Sequence, residues 1–210
     1  MMRFLCGILM LMTVSTGVFA QTVGFGAHAN IANLNLGVPA SSNVGGSLKD
    51  AYGPGYGAGA HFDIGLIGWS FRLSGDYLSF SPDNAKFQQI LAGLLGNSAS
   101  GYTIDGGKIT IWSGSVNAKM GILPLPLIQP YLTGGIGFAN IKADGATVTY
   151  QGTPIGNPPG VPSQTKTLFD VGAGVDFKVG ITLFVELRYT WILTDGETTT
   201  YLPVMLGITF

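Results

Sequence analysis

Phe169-Asp170-Val171-Gly172-Ala173-Gly174-Val175-Asp176-Phe177-Lys178, followed after Val179-Gly180-Ile181 by Thr182-Leu183-Phe184-Val185-Glu186-Leu187-Arg188-Tyr189-Thr190-Trp191, is the stretch that decides the fold. In its first half Phe169, Val171, Ala173, Val175, Phe177 and Val179 recur at every second residue, while Asp170, Asp176 and Lys178 take the other parity. In its second half Leu183, Val185, Leu187, Tyr189 and Trp191 alternate against Glu186 and Arg188. A period of two belongs to β-strands, whose successive side chains point to opposite faces. The short Val179–Gly180 link turns the two strands into a hairpin and puts Asp170 near Arg188, directly or on a diagonal.

The same alternation extends outward through six more segments. Thr22 to Leu34 carries Val23, Phe25, Ala27, Ala29 and Ile31 on one face, and Tyr56 to Ile64 carries Tyr56, Ala58, Ala60, Phe62 and Ile64. Trp69 to Phe80 aligns Trp69, Phe71, Leu73 and Tyr77, and Ile109 to Met120 aligns Trp112, Val116, Ala118 and Met120. Pro130 to Ile141 is glycine-rich, with Leu132, Ile136 and Phe138 assigned outward. Leu202, Val204, Leu206, Ile208 and Phe210 end the chain. The charged residues of these spans are Asp63, Arg72, Asp76, Lys119, Asp170, Asp176, Lys178, Glu186 and Arg188, and all fall opposite the apolar face. A lipid-facing Arg or Lys at mid-depth costs about 2–4 kcal/mol, so a bilayer would impose this segregation. A soluble sandwich or a soluble ligand-holding barrel would reverse the faces. Alternation alone does not say which face is inside; the leader segment and the aromatic residues near strand ends decide for lipid outside.

Composition agrees. Charged residues make up 10% of the 210, and glycine occurs 33 times. Beyond the leader no apolar run reaches the roughly 18 residues that a membrane helix needs. The net charge of −1 comes with no polybasic block, which excludes nucleic acid as a partner. Residues 1–20 read as a cleavable secretory signal: Arg3 supplies the positive end, Phe4 to Phe19 is mostly apolar, and Val18 and Ala20 precede Gln21. The one cysteine, Cys6, lies inside that leader, so disulfides are excluded. Residues 21–210 then form one outer-membrane barrel domain.

Short links (Leu66–Gly68, Val179–Gly180 and the proline-containing Ile122 to Gln129) alternate with long ones (Asn35 to Gly55, Ser81 to Lys108, Ala143 to Gln164) and the modest Leu193 to Thr199. This is the asymmetry of an all-β, eight-stranded, antiparallel, up-and-down transmembrane barrel with short periplasmic turns and long external loops. Pairing the last strand with the first leaves no open edge, as backbone in hydrocarbon requires.

Phe169-Asp-Val-Gly-Ala-Gly-Val-Asp-Phe177, Pro130-Tyr-Leu-Thr-Gly-Gly-Ile-Gly-Phe138 and the terminal Leu206-Gly-Ile-Thr-Phe210 resemble strands of OmpA-like small outer-membrane barrels. The resemblance implies the bacterial outer membrane as location. It also implies that Phe210 belongs to a carboxy-terminal signal recognised by the barrel-assembly machinery. No peptidoglycan-binding domain follows the barrel, so a cell-wall tethering role is not carried over.

An eight-stranded barrel is just wide enough for its inward side chains to fill it. Arg72, Asp76, Asp170, Asp176, Lys178, Glu186 and Arg188 are therefore expected to form a lumen charge network, since buried charges persist when paired. A gated ion path is the alternative. His28 and His61, with Asp63, share the inward parity; they are a weak metal candidate, two imidazoles being fewer ligands than a closed site takes. No metal or other cofactor is expected. Neither histidine has an obvious nucleophile beside it, and Ser113 and Ser115 face inward, so an enzyme is not expected.

In the second long loop, Ser81-Pro82-Asp83 reads as an N-cap, a first-turn proline and an early acid, and Gly96 as the stop. Phe87, Ile90, Leu91 and Leu94 lie between them at helical spacing; they pack on the barrel rim or offer a contact surface for a partner or headgroups. The third loop, with Pro154, Pro158, Pro159 and Pro162, reads as an extended surface loop. The expected function is a monomeric, lipid-embedded scaffold that displays loops for interaction or adhesion with an unidentified extracellular ligand. A narrow ion or small-solute channel is the first alternative and a lipid-active outer-membrane enzyme the second.

Overall fold

A computed structural model describes residues 22–35, 51–66, 68–95, 101–123, 125–194 and 198–210. The leader, 1–20, and Gly96 lie outside these residues, as does most of the first long loop. Eight strands close into an antiparallel barrel: β1 (Thr22–Asn35), β2 (Gly55–Leu66), β3 (Trp69–Phe80), β5 (Ile109–Gly121), β6 (Ile128–Ala143), β9 (Val161–Lys178), β10 (Thr182–Leu193) and β11 (Thr198–Thr209). Each pairs with the next in this order, and β11 returns to β1 with Ile208 opposite Ala27 and Leu202 opposite Asn33. Phe210 completes the seam: its amide donates to the Phe25 carbonyl (2.8 Å), the Phe25 amide donates back (3.2 Å), and the two rings lie 5.7 Å apart.

The expected faces are the observed ones. Val171 and Leu206 are 51% and 63% exposed, whereas Asp170 and Glu186 are 3% and 1% exposed. Leu132, Ile136 and Phe138 of the glycine-rich β6 do point outward. Outward aromatic residues form two rings. Phe25, Trp69, Phe177 and Phe210 mark the short-turn end, and Tyr56, Tyr77, Trp112, Phe138, Phe169 and Tyr189 mark the long-loop end. From Trp69 to Tyr77 a tilted strand climbs about 20 Å, close to the height of an outer-membrane apolar band.

Above the upper ring the polarity of the wall inverts. The outward positions become Ser79, Thr110, Asn140, Lys142, Thr165 and Thr167, while Leu78, Phe80, Ile109, Ile111, Leu168, Ile192 and Tyr201 turn inward and are buried. The strands have left hydrocarbon for water there, so apolar groups gain by facing each other instead of the surroundings.

The long loops build a folded head on this extension. β4 (Tyr102–Gly106), β7 (Ala146–Tyr150) and β8 (Thr153–Gly156) form a three-stranded ribbon. The ribbon continues the β5–β6 hairpin through the Gly107 amide to the Gly145 carbonyl (2.9 Å) and the Asp144 amide to the Lys108 carbonyl (2.9 Å). The junction bends at Gly106 and Gly107, whose φ angles of +80° and +66° suit glycine alone. The third loop is thus a β-ribbon and not the extended loop expected from its prolines. The β-branched run Thr147-Val148-Thr149 and the left-handed Gln151-Gly152 turn outweigh them. Helix α1 (Asn84–Leu95) covers the outer edge of β4: Asn84 Oδ1 accepts from the Ile104 amide (2.8 Å), and Gln88 Nε2 donates to the Tyr102 carbonyl (2.8 Å). Its N-cap is Asp83, not Ser81, because the carboxylate reaches the Ala85 and Lys86 amides at 2.9 and 3.3 Å.

Candidate functional site: a charged lumen beneath an apolar seal

The lumen is stacked in layers, read from the short-turn end upward. At the mouth Lys178 donates to Gln129 and is exposed, so it does not join the lumen network expected of it; the last residue of β9 has run past the wall into water. Inside the mouth Arg72 grips Asp63 in a two-pronged contact (Nε–Oδ1 and Nη2–Oδ2, both 2.8 Å), and Lys119 Nζ reaches both oxygens of Asp176 at 2.8 Å. Two inward aromatic residues carry these cations on their faces: Lys119 sits 3.7 Å from the Tyr131 ring centre and Arg72 sits 4.4 Å from that of Phe184. Neither ring was recognised in the sequence.

Glu186 is the hub. It accepts from Tyr131 Oη (2.8 Å) and Arg188 Nε (2.7 Å), with an Arg72 nitrogen 3.7 Å away. Arg188 lies 3.9 Å from Asp170 on the expected diagonal, with Gly172 opposite Arg188 and Thr190 opposite Asp170. Asn117 donates to Asp170 and accepts from Ser115, whose hydroxyl meets that of Ser74 at 3.0 Å. Arg72 and Asp76 stand opposite Asn117 and Ser113 in the symmetric β3–β5 register anticipated from the alternation.

His28 and His61 do come together, with ring centres 5.5 Å apart and Nδ1 atoms at 3.3 Å. Their outer nitrogens are taken: His28 Nε2 meets Asp76 Oδ1 at 2.6 Å, and His61 Nε2 meets Thr209 Oγ1 at 2.8 Å. One set of proton positions satisfies every contact with both rings neutral. Thr209 donates to His61 Nε2, His61 Nδ1–H to His28 Nδ1, and His28 Nε2–H to Asp76. Asp63, the third member of the weak metal candidate, is committed to Arg72 instead. Among the described residues no group of three metal-ligating side chains converges. Thr209 enters this chain unannounced by any sequence motif.

Large inward groups fit because glycine faces them. A Cβ on Gly59 would come within 2.6 Å of Asp76 Oδ1, and one on Gly174 would meet the Tyr131 ring and lie 2.7 Å from the Val185 carbonyl. The glycine-rich strands are thereby the counterpart of a crowded interior.

Over the charged layers lies the inverted segment, where Ala32, Leu78, Phe80, Ile109, Ile111, Ala139, Leu168, Ile192 and Tyr201 form one buried apolar cluster across the bore. The seal separates the charged lumen from the head. Above it, Phe87 points from α1 into the interior and is buried, so it is not the outward contact residue considered from its spacing; Ile90 and Leu91 are half-buried. The helix gains more by closing over the barrel's apolar mouth than by presenting its stripe to water. The side chain of Leu94 lies outside the described residues.

Comparisons with known proteins place this architecture. The fold is similar to that of Neisserial surface protein A, with a TM-score of 0.54 and 16% identity over 90% of this chain and 97% of that one. Weaker similarity links it to Ail, the attachment invasion locus protein of Yersinia pestis (TM-score 0.43, 14% identity, 90% of this chain and 97% of that one). The N-terminal β-barrel domain of Pseudomonas aeruginosa OprF gives a TM-score of 0.41 at 15% identity, over 88% of this chain and 96% of that one. A search of curated protein sequences finds no match. The family model for the outer membrane protein beta-barrel domain matches residues 6–210. With its closed barrel, lipid-facing belt and paired lumen charges, the chain belongs to this family of bacterial outer-membrane barrels.

Proposed function

We propose that the chain is a non-conducting, non-catalytic scaffold of the outer membrane that presents a folded head for interaction or adhesion outside the cell. One observation carries this reading: the bore is closed by the apolar seal around Phe80, Ile111 and Ile192, while the protein's elaboration lies beyond the membrane in α1 and the β4–β7–β8 ribbon. A narrow apolar constriction bars ions by excluding the water that must accompany them, and the seal is such a constriction across the bore. The nearest thing to a nucleophile and base among the described residues is Thr209 with His61, placed at the periplasmic mouth and joined into the polar network. The charged layers support a structural role, since each cation has a carboxylate partner.

Surrounding lipid is the partner implied by the outward belt. The barrel-assembly machinery is the proposed partner of Phe210 before the β1–β11 seam closes, and a monomer suffices because the closed sheet has no edge to share. Two measurements test the reading. Planar bilayers containing the purified protein should show no steady, ion-selective openings; openings abolished by Arg188→Ala would establish the channel instead. Cells displaying the protein should lose attachment to host-cell or matrix surfaces when residues 151–159 of the ribbon tip are replaced by a Gly-Ser stretch. Attachment unchanged by that replacement would remove the ribbon from the proposal.

A further inference from the structure

The charges of the lumen do not balance. Among the described residues its buried cations are Arg72, Lys119 and Arg188, and its carboxylates are Asp63, Asp76, Asp170, Asp176 and Glu186. Near the short-turn mouth they match one to one, Arg72 with Asp63 and Lys119 with Asp176. Higher up, Arg188 is the remaining cation for Glu186, Asp170 and Asp76. With both imidazoles neutral, two negative charges are left over. A buried charge without a counter-charge is costly, so the upper layer calls for a further cation.

The shortfall is felt most at Asp170. Asp76 Oδ1 accepts from His28 Nε2 (2.6 Å) and Asn30 Nδ2 (3.0 Å). Asp170 Oδ1 accepts from Asn117 and lies 3.9 Å from Arg188, but its Oδ2 is buried and accepts nothing. Asn30 is in the same position: its Nδ2 is spent on Asp76, and its Oδ1 is buried with no donor. Both residues are 3% exposed. Among the described residues these two oxygens are the buried side-chain polar atoms that lack a partner, and both are acceptors.

Asn30 and Asp170 reach inward from β1 and β9, which are not neighbours in the wall, and both border one chamber beneath the seal. The chamber measures about 10 Å³, room for a single water-sized body. Leu78 and Leu168 of the seal bound it and offer no donor. Ser113 and Thr190 border it with hydroxyl oxygens, which can turn a lone pair toward a positive guest. Arg188 also borders it, but its Nε is drawn to Glu186 at 2.7 Å. A water molecule would donate to the two free oxygens and leave the excess charge in place, whereas a cation answers both. Calcium takes about six to eight oxygens and magnesium keeps several of its waters, more than a chamber of this size holds. Zinc and its neighbours draw on imidazole or thiolate, and both histidines are committed to Asp76 and Thr209.

We propose that the chamber binds one dehydrated alkali-metal ion, Na⁺ or K⁺, between Asp170 Oδ2 and Asn30 Oδ1. The ion is a fixed counter-charge for the upper layer, so the inference goes beyond the scaffold reading and stands whether or not the head adheres to anything.

The test is urea unfolding of the whole mature protein in zwitterionic phospholipid vesicles, with NaCl or KCl exchanged against choline chloride at constant ionic strength. Screening is then equal in all three salts, and choline is too large for the chamber. An ion held only by the folded protein lowers the unfolding equilibrium constant about tenfold for each tenfold rise in its concentration above its Kd. The parent should show that slope with Na⁺ or K⁺. Asp170→Asn, which keeps the shape and removes the charge, should abolish it; Asn30→Leu, which removes the other oxygen, serves should the first variant fail to fold. Tyr131→Phe, which costs a hydrogen bond lower in the bore without changing any charge there, should lose stability and keep the slope. Equal stability of the parent in all three salts, as water or a protonated Asp170 in the chamber would give, would overturn the proposal. A slope that survives unchanged in a folded Asp170→Asn or Asn30→Leu protein would overturn it too.

Discussion

Replacing Glu186 by leucine takes the only carboxylate from a spot where three donors meet. Tyr131 Oη and Arg188 Nε bond it at 2.8 and 2.7 Å, Arg72 stands 3.7 Å off, and the residue is 1% exposed. The three donors do not suffer equally. Arg72 keeps its two 2.8 Å contacts to Asp63, but Arg188 is left with Asp170 at 3.9 Å, and the Tyr131 hydroxyl loses its 2.8 Å acceptor. Stranding one buried charge costs about 3–5 kcal/mol, and a lost neutral hydrogen bond adds about 1 kcal/mol. The added leucine surface returns part of this, so the expected loss is about 4 kcal/mol. Glu186→Gln, which keeps an acceptor, should lose about half as much. In Glu186→Leu/Arg188→Met no charge is stranded, and the double variant should recover most of the loss, with a coupling of about 2–3 kcal/mol. Urea unfolding in vesicles, followed by tryptophan fluorescence and by the mobility difference between unheated and boiled samples, measures these proteins together with Arg188→Met, the second single variant that the coupling requires. A Glu186→Leu protein within about 0.5 kcal/mol of the parent, or a double variant as damaged as the two single losses combined, would refute the ion-pair account.

Two further outcomes follow from the extracellular head and the seam. Burial pushes the Tyr52 hydroxyl above the usual tyrosine range. Its proton is therefore retained in the folded protein after the unfolded chain has lost its own, and this contribution to stability is present below pH ~10 and declines above it. In the ultraviolet difference titration between the parent and Tyr52→Phe, the missing phenolate should ionise later than a free tyrosine; ionisation at the ordinary pH would contradict the buried placement. Phe210→Ser removes the ring against Phe25 but keeps the backbone bonds, so the refolded barrel should lose about 1–2 kcal/mol. Loss of insertion in cells far beyond that deficit would mark recognition during assembly, whereas normal insertion would refute that role for Phe210.

Much of the barrel was legible because one physical constraint acts on every strand. Charges at even positions from Asp170 to Arg188 and apolar groups at odd ones leave a single arrangement tolerable in a bilayer, and it fixed both the faces and the β9–β10 hairpin. The His28–His61 encounter was visible from parity, and the Asp170–Arg188 diagonal from turn length. The seal was not, although Leu78, Phe80, Ile109 and Ile111 stand in plain alternation. Their parity is that of the charges, and the interior reverses character only where the wall leaves hydrocarbon, a height that alternation does not mark. Tyr131 and Phe184 escaped notice for a related reason: an inward aromatic residue looks misplaced until the cation above it and the glycine facing it, Lys119 with Gly174 or Arg72 with Gly207, are known. Lys178 was assigned to the lumen by parity alone, yet one residue at a strand's end separates lumen from water. The ribbon was hidden by its prolines, which sit outside β7 and leave Thr147-Val148-Thr149 free to pair.

The wall faces lipid with its apolar side up to Tyr77 and reverses above it. Because the sole cysteine is Cys6, single cysteines can be placed along β3 from Trp69 to Phe80 and spin-labelled in vesicles, with oxygen and a water-soluble nickel chelate as relaxing agents. Labels at 69, 71, 73 and 77 should be accessible to oxygen, and a label at 79 should be accessible to the chelate. Position 78 should be shielded from both agents. Chelate access at 71 and 73, or oxygen access at 78, would contradict this arrangement.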